Sequence, residues 1–242
     1  MTNDEPFVNV SGHLQIASGI FEVPDGIQAR IDGNVPGGLI AVGHDGTLNI
    51  LGQNASQSLR HACVEEKGFL FASGALASVH DVYVNAGGSL SVISGATVWD
   101  VETEGMVRIV DAGHPTGHLR VRSGGILHVT GSWVDKVTVC GGGSALIMSG
   151  AHIEQIEICP NAACRVYSGS VASAQIDSGG TMSLVNGMAT EVFQQSGGIL
   201  LTEGRCKLHF QSISEVGGVE WKEYGSGSHS EEEEEEANGI PL

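Results

Sequence analysis

Along most of this chain, short runs place an apolar residue at every second position, and glycine interrupts each run. VYVNAGGSLSVISG (82–95), LRVRSGGILHVTG (119–131), VTVCGGGSALIMSG (137–150) and VFQQSGGILLTEG (192–204) are four versions of one phrase. Strict alternation puts one side of a short strand inside and the other outside. Paired glycines between two such runs predict a tight turn. Each phrase therefore reads as strand, turn, strand, turn.

The phrases keep register. Counting from the second residue of the first turn, the marks are Gly68, Gly88, Gly105, Gly125, Gly143, Ala162, Gly180, Gly198 and Gly218, separated by 17–20 residues. Two and four residues after each mark stand apolar pairs such as Leu70/Ala72, Leu90/Val92 and Leu127/Val129. Six and four residues before it stand Val82/Val84, Trp99/Val101, Leu119/Val121, Val137/Val139, Ile156/Ile158 and Ala174/Ile176. Gly46 and Gly12 fit the same phrase upstream. One such unit cannot bury its apolar side alone, so like positions must stack on like. The pattern predicts an all-β fold, a single-stranded right-handed parallel β-helix (a solenoid) of about ten coils, near 50 Å long at about 4.8 Å per coil. A β-sandwich would also use short strands and regular turns, but it gives no reason for like residues to recur in register.

Composition supports thin stacked layers over a thick globule. Glycine reaches 36 residues, aromatic residues make only 5%, and Val, Ile, Leu and Ala supply most of the apolar share. The domain reading is a repeat body over 1–221, most regular over 60–220, followed by a Gly/Ser/Glu tail over 222–242 that is expected to be disordered. Net charge is −17, and the six glutamates from Glu231 to Glu236 account for six of it, since Lys222 and Glu223 cancel. So acidic a surface argues against nucleic acid as a partner. No run approaches the roughly 18 apolar residues of a membrane span, so no membrane insertion is expected.

The phrase x-V-x-x-G-G-x-L-x-V-x-S-G-x-A-x-x-x-x-V, seen in NAGGSLSVISGATVWDV (85–101) and DSGGTMSLVNGMATEV (177–192), resembles the AIDA-type repeat of autotransporter adhesin passengers. The resemblance covers about 60–220. It implies a secreted or surface-exposed adhesive rod, in a family where some members carry glycans on Ser and Thr of the repeats. The first twenty residues lack a signal-peptide pattern, which leaves cell-surface and cytoplasmic locations both open.

Candidate chemistry is sparse. Many parallel β-helices act on acidic polysaccharides with clustered carboxylates or with a base beside an arginine. Five and three residues before the marks, Asp100 is expected beside Arg120, and Glu102 beside Arg122, as a small charged patch able to bind a sugar. Such exposed pairs on neighbouring strands are worth only about 0–1 kcal/mol and also occur simply to balance charge. Glu157 and Asp177 read as isolated, as does Asp135 beside Lys136. His114 and His118, in GHPTGH, are the weak candidates for a metal, in a corner loop. No cofactor is implied. Of five cysteines, Cys164 falls inward, and Cys140 and Cys159 are expected as outward neighbours on adjacent coils. The leading expectation is a non-enzymatic adhesin-like or surface structural rod, with surface glycans or further copies of itself as partners. A carbohydrate-active or phage-spike-like glycan-binding β-helix comes second, and an intracellular scaffold third.

Overall fold

The computed structural model describes residues 7–11, 20–23, 28–32, 34–35, 39–52, 57–113, 116–208 and 223–224, with side chains from Ile40 to Leu208. Described residues form two all-parallel sheets, one of twelve strands and one of eleven, with a single strand pair off the main path. Apart from Asn34–Val35, successive strands alternate between the sheets, so each coil contributes one strand to each. This is a parallel β-helix.

The coil is three-sided because one of its strands bends. Ala77–Val84 and Thr97–Thr103 turn at Asp81 and Asp100, whose φ angles are 54° and 50°. Pairing runs from Trp99 with His80 directly to Val101 with Val82 and skips the corner residues. Aspartate tolerates this left-handed backbone better than most residues. Residues 77–80, 82–84 and 89–93 thus mark the three facets of one coil.

Pairing follows the marks of the repeat. Phe69, Ser89, Met106, Ile126, Ser144, Ala163, Thr181 and Ile199, each one residue beyond its mark, form an unbroken column. Inside, Val82 stacks on Val101, and that column continues through Leu119, Val137, Ile156, Ala174 and Val192, all nearly solvent-free. Cys164 is fully packed between Ala145 and Met182.

Three expectations need correction. Trp99 faces outward: the coil before Gly105 has a turn two residues shorter, so Val101 and Thr103, not Trp99 and Val101, stack on Val82 and Val84. For the same reason Glu102 pairs with Arg120, and Asp100 is displaced to the corner. Upstream, Phe7 pairs with Gln28 and Gln28 with Thr47, which sets the first coil six residues ahead of the position implied by Gly12. The Gly218 mark lies outside the described residues. So does 225–242 of the tail, while Glu223–Tyr224 pair with Thr202 and Glu203 at the end of the first sheet.

Paired glycines divide their work. Gly87 holds φ at 80°, whereas Gly88 is needed for space: a Cβ there would stand 2.6 Å from Glu65 O and 2.8 Å from Val64 O of the preceding coil. Backbone oxygens locked in a ladder cannot move aside cheaply. Gly88→Ala is expected to destabilise the fold by about 1–3 kcal/mol, read from the urea midpoint. Thr103 supplies the opposite test. Its hydroxyl is buried without a hydrogen-bond partner in a column otherwise formed by Val84 and Val121. Thr103→Val keeps the shape and removes the unsatisfied group, so it is expected to stabilise by about 1 kcal/mol on the same measurement.

Candidate functional site

Outward residues of the 82–84 facet, and of the turn that follows it, form two polar columns running along the rod. The first contains Tyr83, Glu102, Arg120, Thr138, Glu157 and Gln175 in register. The second contains Asn85, Arg122, Cys140, Cys159 and Asp177, whose backbone amides continue the parallel ladder to Val64, Thr103, Val121, Val139 and Ile158. Alternation forces these side chains out because Val82, Val84 and their equivalents fill the interior.

Hydrogen bonds knit the columns together. Asn85 donates to Glu65 Oε2 at 2.8 Å, and Tyr83 donates its hydroxyl to Glu104 Oε1 at 2.8 Å. The bond to Glu104 is the main reason the Tyr83 phenol titrates above its ordinary range. Glu102 forms an ion pair with Arg122 one coil on. That contact is diagonal, since Glu102 lies opposite Arg120 in the ladder. Asp100 forms no ion pair with Arg120 among the described residues. The four charged candidates therefore lie close together, but not as the two rungs expected from sequence.

His118 sits at the edge of this facet, with Nε2 3.0 Å from Thr138 Oγ1. Burial, then Lys136 and Arg120, lowers its pKa and disfavours the imidazolium. His114 lies outside the described residues, so no geometry joins the two histidines.

Farther along, the structure gathers a group that sequence reasoning left scattered. Glu157, Cys159 and Asp177 each offer a ligand atom, and these atoms lie within 4.8 Å of one another. Glu157 and Asp177 are thus not isolated. They meet because the coil of 18 residues brings positions 159 and 177 onto one column, and the Glu157 side chain reaches diagonally across one rung. Gln175 Nε2 and Gln195 Nε2 both donate to Asp177 Oδ1 at 2.9 Å, which fixes the carboxylate.

The neighbouring facet carries aromatic groups. Trp99 lies parallel to His80, with ring centroids 6.2 Å apart and planes within 2°. It spreads over Gly117, where a Cβ would come within 2.8 Å of its ring. Trp133, two coils farther along, is 44% exposed and packs at 4.3 Å against His152. The third facet is largely uncharged, with Met106, Ile126, Tyr167 and Ile199 exposed.

Such a molecule is a β-helical solenoid with flat, differentiated sides. No protein-family model matches the chain, and no curated protein matches it. Among solved structures, it is similar to the crystal structure of a TibC-catalyzed hyper-glycosylated TibA55-350 fragment, with 17% sequence identity and a TM-score of 0.41, covering 83% of this chain and 97% of that one.

Cys140 and Cys159 stand one rung apart, about 4.8 Å between Cα atoms, within disulfide range. Burial, with Cys140 and the nearby carboxylates adding to it, pushes the Cys159 thiol up to about 11. Oxidised glutathione is expected to link them in the folded monomer, taking up two protons and two electrons to give two glutathione thiols. The rate should rise with pH as thiolate forms. Peptide mapping that finds Cys159 joined to Cys63 instead would contradict the stacking.

Proposed function

We propose that this protein is a non-enzymatic, adhesin-like rod that makes spread, repeated contacts with surface glycans. One observation carries the reading: polar groups recur rung after rung on a flat facet, and aromatic rings flank them on the next. Hydroxyl, amide, carboxylate and guanidinium groups complement sugar hydroxyls, and indole faces cover the apolar faces of pyranose rings. Trp99 and Trp133 are two rungs apart along the axis, about 10 Å. A rung is close to the advance of one sugar unit in an extended glycan, so successive sugars can meet successive rungs. The AIDA-type phrases in the sequence support the same reading.

A carbohydrate-active enzyme is the second reading, and the Glu157/Asp177 pair is the feature that favours it, since retaining glycosidases use two carboxyl groups about 5–5.5 Å apart. Asp177 is engaged by two glutamines, however, and both acids stand on a facet rather than in a cleft. The two described cavities, of about 370 and 280 Å³, are lined by other residues.

Adhesion and catalysis separate in one experiment. The purified protein on beads is expected to aggregate them or to retain a subset of immobilised glycans, and to release no fragments from acidic or neutral polysaccharides. Replacing Asp100, Glu102, Arg120 and Arg122 together by Ala should weaken retention only in part, because contacts are spread over many rungs. Trp99→Ala with Trp133→Ala should weaken it further. Release of sugar fragments that Glu157→Gln abolishes would move the protein to the carbohydrate-active class. Beads that stay dispersed and retain nothing would favour an intracellular scaffold.

A further inference from the structure

We propose that Cys140, Cys159, Glu157 and Asp177 form a zinc-type divalent-metal site that clips three successive coils together. The site is separate from the adhesive reading and does not depend on it.

The donors come from consecutive rungs. Cys140, Cys159 and Asp177 occupy the same turn position, with amides donating to Val121 O, Val139 O and Ile158 O at 2.8, 2.9 and 2.9 Å. Glu157 projects from the strand His152–Ile158. Ligand atoms of Glu157, Cys159 and Asp177 already lie within 4.8 Å of one another, and Cys140 stands one rung from Cys159 in the same column. All four residues are half-buried, so side-chain rotation can bring them onto a cation that enters from solvent, while the ladder behind them stays fixed.

A partly built outer shell surrounds these groups. Gln175 and Gln195 converge on one oxygen of Asp177 and leave its other oxygen available. Thr138 donates to Glu157 Oε2 at 3.5 Å. Outer-shell bonds of this kind hold ligands in orientation. The nearest cationic side chain in the column, Arg122, is paired with Glu102 on its far side.

Donor chemistry selects the metal class. Two sulfurs and two carboxylate oxygens in a four-point arrangement suit zinc, cobalt(II) or cadmium, whereas calcium and magnesium require oxygen-only shells with more ligands. Binding exchanges protons for metal: two S–H bonds break, two metal–sulfur bonds form, and two protons leave to solvent.

The test uses the full chain, reduced and stripped with a chelator, titrated with cobalt(II) alone. One equivalent is expected to give tetrahedral visible bands and a thiolate charge-transfer band, both removed when zinc displaces cobalt. Apparent affinity should rise roughly hundredfold per pH unit below the thiol titration, as loss of two protons requires. Cys140→Ser and Cys159→Ser should each remove the thiolate band, and Gln195→Ala should weaken binding about tenfold. Cys63→Ser should change neither. In the unaltered protein, zinc should shield Cys140 and Cys159, but not Cys63, from alkylation, a readout that does not depend on any variant folding. Failure to bind cobalt, an octahedral spectrum without the thiolate band, a band that survives loss of both cysteines, or unshielded alkylation would each overturn the site.

Discussion

Everything in this molecule depends on the stacking of one coil on the next. A coil of 17–20 residues has an apolar side too narrow to close on itself, so only a neighbour with the same spacing can cover it. Parallel backbone hydrogen bonds between coils then lock like positions onto like, as Leu70, Leu90 and Val107 are locked in one inward column. Hydrophobic burial supplies the drive, and the ladder supplies the register. A coil of slightly different length must absorb the difference in its turns, since slipping by one residue would turn its whole inner side to water.

That constraint explains where variation is allowed. Inward positions tolerate exchange among Val, Ile, Leu, Ala, Cys and Met, since a column asks for volume rather than identity. The second glycine of each pair is restricted by the carbonyls of the coil before it, yet Ala162 stands at one mark, so the restriction varies with local turn geometry. Outward positions are constrained mainly by their neighbours on adjacent rungs. Glu102 with Arg122, Asn85 with Glu65 and Gln195 with Asp177 are contacts of this kind.

A flat ladder also shapes the chemistry the protein can perform. Groups brought together by stacking lie about one rung apart along a line, an arrangement suited to repeated shallow contacts with an extended partner. Convergence onto a point requires a local coincidence of side chains, and Cys159 with its two carboxylates is such a coincidence. The sides of the rod differ accordingly: charged and amide groups beside one turn, rings on the next facet, and largely uncharged groups, with Arg108 and Arg165 among them, on the third.

From sequence, the periodicity of Leu, Val and Gly sufficed for the all-β solenoid, the register from Gly68 to Gly198 and the neighbourhood of Cys140 with Cys159. Those features follow from a repeat that is linear in the chain and therefore visible in it. Trp99 was misplaced because its coil is short, and counting back from a glycine cannot reveal which turn has lost residues. Only the pairing of Val101 with Val82 settles that. The Glu102–Arg122 ion pair was legible as a pairing of neighbours, although its diagonal path was not. Meeting of Glu157 with Asp177 required the third dimension, because side-chain reach across rungs depends on turn geometry and on the glutamines that hold Asp177 in place. The sequence by itself determined which residues face in, since alternation and burial are set locally. Which outward residues touch was decided only when the coils stacked, since that depends on how each turn spends its extra residues.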